Sequence, residues 1–347
     1  MRPHKEVVMR HTLLAIAVCL PAIAAAQSSN AYRVTQTYNL GSDGGWDYIV
    51  PEPARHRIFI GRQDRVMVVD EKNGKLLGEV TGIHGAHGTA INERNGRGFA
   101  TSGDDSSVVM FDSRTFNNLG RIHAAEDADA IIYDAASNFV FTFNGDAHSS
   151  TVIDAAAGKL VTNIELGGKP EYGVSAGNGK VYANLTDVSE VVEIDSKTLR
   201  VTRRWPTKGC NNPVAMAIDL VHQRLFSGCR SGVMAVSDYR TGKVVATLPI
   251  GAGTDGAGYD PSTGDAFASN ADGTLTIIHE DSPNAYHVVQ TLATMPGSRN
   301  LGVDPITHSV FLAGATFDTP AAGAAGAPRP RPRILSGSFV VLVVERR

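Results

Sequence analysis

Seven aromatic residues, Phe59, Phe99, Phe141, Tyr182, Phe226, Phe267 and Phe311, recur at spacings of about 40–44 residues. No other feature constrains the fold as strongly, because a fixed period of this length means one supersecondary unit copied along the chain. Each aromatic lies mid-strand. Upstream of six of them another apolar strand ends, at Ile91, Tyr133, Val174, Ile218, Tyr259 and Val303, and turn-forming residues such as Asp260-Pro261-Ser262-Thr263-Gly264 fill the gap. Downstream, alternating strands such as Val66–Val69 and Val108–Phe111 end in an acid (Asp70, Asp112, Asp154, Asp195). Three of these units continue as D-x-x-x-G-K, from Asp70, Asp154 and Asp238, into a further apolar strand such as Val244–Leu248. Each unit is therefore four short strands joined by hairpins.

Four-stranded units of this period predict an all-β, seven-bladed β-propeller. The ends of the chain fit a closed ring. The last unit stops after its third strand, Phe339–Val344, and an orphan strand, Tyr32–Leu40, precedes the first unit. Placed as the outer strand of the last blade, the orphan strand leaves no open edge. The 36 glycines and the 19% charged content match many tight turns around apolar strands. A formal charge of -3 argues against a nucleic-acid partner.

Residues 1–26 read as a cleaved signal peptide. Arg2, Lys5 and Arg10 precede an apolar run from Thr12 to Ile23, and Ala24-Ala25-Ala26 offers a cleavage site. Met9 is an alternative start, and the bulky Val18 disfavours lipidation at Cys19. Beyond residue 26 no stretch is long and apolar enough to span a bilayer. The expected remainder, 27–347, is one propeller domain, periplasmic or secreted and monomeric. Its two cysteines, Cys210 and Cys229, predict one disulfide in an oxidising compartment. An Ala-, Gly- and Pro-rich insertion at 317–337, with Pro and Arg alternating over 328–333, separates the second and third strands of the last blade. It reads as a tolerated loop or as a basic arm for an acidic partner.

The segments Phe141-Thr142-Phe143-Asn144 and Phe267-Ala268-Ser269-Asn270 resemble the Y-V-T-N phrase of the YncE-like, or YVTN-repeat, family of secreted β-propellers. Thr151-Val152-Ile153-Asp154 with Gly158-Lys159-Leu160-Val161 is similar to that family's V-x-V-I-D…G-K-V phrase. The resemblance covers the chain after residue 26 and implies the fold and export. It implies no particular activity, because propellers host many functions.

Function is expected at the channel mouth, on the face of the loops that join blade to blade. Shortly before each repeat anchor one residue is placed near the channel: Asp47, His87, Asp129, Pro170, Val214, Asp255 and Arg299. Trp46, His84, Asp127, Glu171, Tyr172, Asn211, Asn212 and Asn300 are their neighbours. From these, Trp46, Asp47, His87, Asp129, Glu171, Asn212, Asp255 and Arg299 are candidates for binding a small polar ligand, a cation or a protein partner. His84, His87, Asp129 and Asp255 are candidate ligands of a divalent ion. A structural alternative pairs Arg299 with Asp255 and Asp47 around the ring, with water solvating the rest. An enzymatic alternative is a lactonase-like hydrolase or lyase using His87 with nearby carboxylates or a bound metal, with His87 as base, Asp129 beside it and Arg299 stabilising an oxyanion. A third reading is a protein-interaction scaffold. By contrast, Asp64, Asp104, Asp146, Asp187 and Asp272 recur so regularly that they are assigned to turn geometry.

Two motif matches are declined. Gly251-Ala252-Gly253-Thr254-Asp255-Gly256 opens no helix, so it lacks a phosphate cradle. Gly173-Val174-Ser175-Ala176-Gly177 lies in a strand–turn–strand unit and not at a nucleophile elbow.

Overall fold

The computed structural model describes residues 31–318 and 332–346, together with Pro3. The signal-peptide assignment and the centre of the 317–337 insertion lie outside the described residues. Seven four-stranded antiparallel sheets form the fold, each a blade of a β-propeller. Blade 1 runs through Ile49–Glu52, Arg57–Arg62, Arg65–Asp70 and Leu76–Val80, from the channel outward. Blades 2 to 6 repeat the order, and their innermost strands are Ala86–Asn92, Ala128–Asp134, Pro170–Ser175, Pro213–Asp219 and Thr254–Asp260. Blade 7 takes three strands from the C-terminal end, Leu301–Asp304, Ser309–Gly314 and Val340–Arg346. Its fourth is Tyr32–Asn39, paired antiparallel to Val340–Arg346. The expected closure by the N-terminal strand is thus present.

The repeat has a packing reason. Phe59, Phe99, Phe141, Tyr182, Phe226, Phe267 and Phe311 sit on second strands and are buried between neighbouring sheets. Each such ring contributes about 2–3 kcal/mol of burial. The aspartates that end third strands act locally: Asp70 Oδ1 accepts the amides of Lys72 and Asn73, and Gly74 takes a φ of 69° to complete the hairpin. Cys210 and Cys229 are disulfide-bonded, with Cα atoms 5.5 Å apart, and tie the loop entering blade 5 to the end of that blade's second strand. Among the described residues no helix is long and apolar enough to cross a membrane.

Arg62 holds the loop at residues 40–48 that leads into blade 1. Its side chain is buried, its guanidinium lies 3.6 Å from the centroid of the Phe339 ring, and it donates to the carbonyls of Asp43, Gly44 and Gly45. Burial lowers its pKa to about 10. Trp46, on the same loop, packs on Phe317 and Phe339.

Candidate functional site

In blades 2 to 6 the innermost strand breaks register near its start. The breaks fall between Ala86 and Thr89, Ala128 and Ile131, Pro170 and Gly173, Pro213 and Ala215, and Thr254 and Gly256. Extra residues at such a bulge bend the strand and re-aim its side chains. The residues in the breaks include His87, Asp129, Glu171, Val214 and Asp255, which explains the ring of ionisable groups at the mouth. In blade 4 the ring position belongs to Glu171, not to Pro170 as repeat counting placed it. Pro170 still pairs with Leu185, as Ala128 pairs with Asn144 in blade 3. The turn after the blade 4 strand is shorter, so counting back from Tyr182 lands one residue early.

The mouth divides into two halves of different electrostatic character. Across blades 1 to 3, His87 Nδ1 lies 2.6 Å from Asp47 Oδ2 and 3.3 Å from Asp129 Oδ1. Asn300 donates to the other oxygen of Asp47 at 3.1 Å. Asp129 Oδ1 is buried and accepts no hydrogen bond. Burial, reinforced by Asp47, raises the Asp129 pKa well above the usual carboxylate range, against the opposing pull of His87. Burial alone would lower the His87 pKa, but the hydrogen bond to Asp47 and the charge of Asp129 outweigh it and raise the pKa to about 9.

Across blades 4 to 7 the charges are matched. Arg299 Nε lies 3.1 Å from Asp255 Oδ2, and Arg230 Nη2 lies 3.3 Å from Glu171 Oε1 and 3.8 Å from Asp255 Oδ1. Burial still raises the pKa of Glu171 to about 7 and that of Asp255 above its usual value, against the opposing arginines. Arg299 therefore pairs with Asp255 but not with Asp47, whose partners are His87 and Asn300.

Two tyrosines form a floor across the channel. Tyr48 of blade 1 and Tyr172 of blade 4 meet with ring centroids 5.1 Å apart, and the Tyr48 hydroxyl donates to the Glu171 carbonyl at 3.3 Å. Burial raises the pKa of both phenols. Glycines shape the wall: a Cβ at Gly61 would come within 2.2 Å of the His87 carbonyl oxygen, and one at Gly103 within 2.9 Å of His87 Nε2.

The other candidates stand apart from the Asp47–His87–Asp129 cluster. His84 is exposed on the preceding loop, where its amide and carbonyl bond the Ser102 hydroxyl. The Asn212 amide N–H bonds the Ser189 hydroxyl. Trp46 and Arg299 line a cavity of about 210 Å³ with Phe317 and Ile334, the paired ends of the insertion. The regular aspartates serve loops: Asp187 accepts the Lys169 amide, and Asp272 accepts those of Ala252 and Thr274. Sequence reasoning missed Tyr48 and Arg230. Tyr48 immediately follows Asp47, and that adjacency was the available signal.

No protein-family model matches the chain, and no curated protein matches it.

Proposed function

We propose that this propeller is an exported binding protein whose channel mouth holds a divalent cation on Asp47, His87 and Asp129. One observation carries the reading: three donor atoms, one from each residue, lie within 4.8 Å of one another, one of them the orphaned Asp129 Oδ1. A bound cation would supply the close partner that Asp129 Oδ1, 3.3 Å from His87 and without a hydrogen bond, does not have, and would offset the desolvation of two adjacent acids. One imidazole with two carboxylates suits a first-row divalent ion better than Ca²⁺, which takes six to eight oxygens. The three ligands leave coordination positions facing the channel mouth, where a small polar ligand would meet the ion above the tyrosine floor. Export and a place in the YncE-like family rest on the leader and on the repeat phrases.

The binding reading is preferred to the hydrolase or lyase reading. His87 Nδ1 faces Asp47 and Asp129, an arrangement that suits a cation shared by the three residues better than a base aimed at a substrate. The deciding experiment is calorimetric titration of untagged, chelator-stripped protein with Zn²⁺, Mn²⁺ and Ca²⁺, in wild type, His87→Gln and Asp129→Asn. Loss of a binding event in both variants is expected. Unchanged isotherms in both variants would sink the proposal.

A further inference from the structure

On the face opposite the mouth, blades 5 and 6 meet around a second group of potential ligands. Asp219 ends the innermost strand of blade 5, His222 lies in the turn that follows, and Glu280 belongs to the third strand of blade 6. His222 Nδ1 sits 2.9 Å from Asp219 Oδ2 and 3.1 Å from Glu280 Oε1. The side chains of Asp219 and Glu280 are only 1% and 2% exposed, whereas that of His222 is 42% exposed. We propose that Asp219, His222 and Glu280 form a site for a first-row divalent metal ion such as Zn²⁺, separate from the channel mouth.

Charge is the first argument. Two buried acids that face one imidazole favour a cation between them, because their hydrogen bonds to neutral donors leave the negative charge unbalanced. Among the described residues, His222 is the only basic side chain within ion-pair distance of either acid. The adjacent Arg224 guanidinium is committed to the carbonyls of His222, Gln223 and Pro283, to Asn284 and to Asp238. A divalent ion in place of the Nδ1 proton would balance both carboxylates at once.

Geometry is the second. Ligand atoms at about 2.1 Å from a Zn²⁺-sized ion are separated from one another by about 3.0–3.4 Å, close to the spacings around His222 Nδ1. The acids are also held in place by groups other than the imidazole. Asp219 accepts the backbone amides of Val221 and His222, while Glu280 accepts the hydroxyls of Tyr259 and Tyr286. Such outer partners fix ligand orientation in metal sites. The exposed imidazole edge gives an ion a path in and leaves room for water.

The repeat supplies internal comparisons. Glu280 and Glu71 occupy equivalent positions, each just after the third-strand residue that pairs with the start of the second strand, His279 with Asp265 and Asp70 with Arg57. Glu71 accepts the Thr307 hydroxyl, and Thr307 stands where blade 5 has His222. At the seam of blades 3 and 4, Asp134 instead takes the Ser196 hydroxyl. The acid pair bridged by an imidazole belongs to the seam of blades 5 and 6.

The test is equilibrium dialysis of the untagged, metal-stripped full chain against ZnCl₂, with bound zinc counted per chain. Wild type is expected to bind two ions, and His222→Gln and His87→Gln one each. Glu280→Gln should weaken the seam site at least about tenfold. If His87→Gln leaves the count unchanged while His222→Gln lowers it by one, the seam site stands and the channel-mouth reading falls. The proposal is overturned if His222→Gln binds as much zinc as wild type, or if His87→Gln binds none. His222 is exposed, so its replacement spares the core; a melting curve of each variant confirms folding.

Discussion

Tyr48 and Tyr172 touch although their blades, the first and the fourth, are not neighbours in the ring. Tyr48 immediately precedes the innermost strand of blade 1 and Tyr172 lies on that of blade 4, so their contact crosses the axis. It bridges the channel and braces opposite sides of the ring. Tyr172→Ala should cost about 2–4 kcal/mol in urea unfolding, as for a large aromatic lost from a packed site. Tyr172→Phe, which keeps the ring, should unfold nearly as wild type does. Equal stability of the alanine variant and wild type would show that the floor braces nothing.

Arg62 should matter for both stability and cation binding. Arg62→Met removes donors to the carbonyls of Asp43, Gly44 and Gly45 and frees the loop that carries Asp47. The expected cost is about 2–4 kcal/mol in the denaturation midpoint, with weaker zinc binding at the mouth. Zinc affinity identical to wild type would mean that Asp47 is positioned without this clamp.

A pH dependence is expected at the seam of blades 7 and 1. Burial raises the Glu71 carboxyl to about 7; Thr307 and Lys72 oppose the shift, and Asp304 adds to it. Asp304 Oδ2, Glu71 Oε2 and His56 Nδ1 are buried there without hydrogen-bond partners. His56 Nδ1 lies 3.6 Å from Glu71. The folded state therefore holds this proton more tightly than the unfolded chain does. The contribution of Glu71 to stability is fully present below about pH 4.5 and is lost as pH rises through about 7, by roughly 1–3 kcal/mol. Glu71→Gln should flatten that part of the stability–pH profile and raise the melting temperature at pH 8. A profile unchanged by the substitution would refute the assignment.

Reducing the Cys210–Cys229 bond, which closes a separation of 19 residues, should cost about 3 kcal/mol. Guanidinium midpoints with and without reductant measure the loss directly. A Cys210→Ser/Cys229→Ser variant insensitive to reductant provides the reference.

Most of the fold was legible because strand alternation, turn chemistry and the aromatic period all repeat, so seven weak signals reinforce one another. Closure of the ring followed from counting strands at the two ends. The site was legible only in outline. His87, Asp129 and Asp255 could be placed by phase, but the bulges that turn them inward leave no mark in a hydrophobic pattern, and one short turn moved the blade 4 position from Pro170 to Glu171. The Asp219–His222–Glu280 group was invisible for a different reason. Its members come from two blades and meet only because neighbouring sheets pack at a particular rotation.

The shared seventh blade also sets an order of events. Among the described strands Tyr32–Asn39 is made first, yet its partner Val340–Arg346 is made last. Through most of translation the early strand has nothing to pair with, and blade 7 is the last to assemble. Pairing the two ends closes a loop of some three hundred residues, the kind of distant contact that slows folding and leaves strand edges exposed meanwhile. The ring cannot lock before Val340–Arg346 has been delivered, so a chain cut short ahead of that strand would leave Tyr32–Asn39 unpaired and blade 7 open.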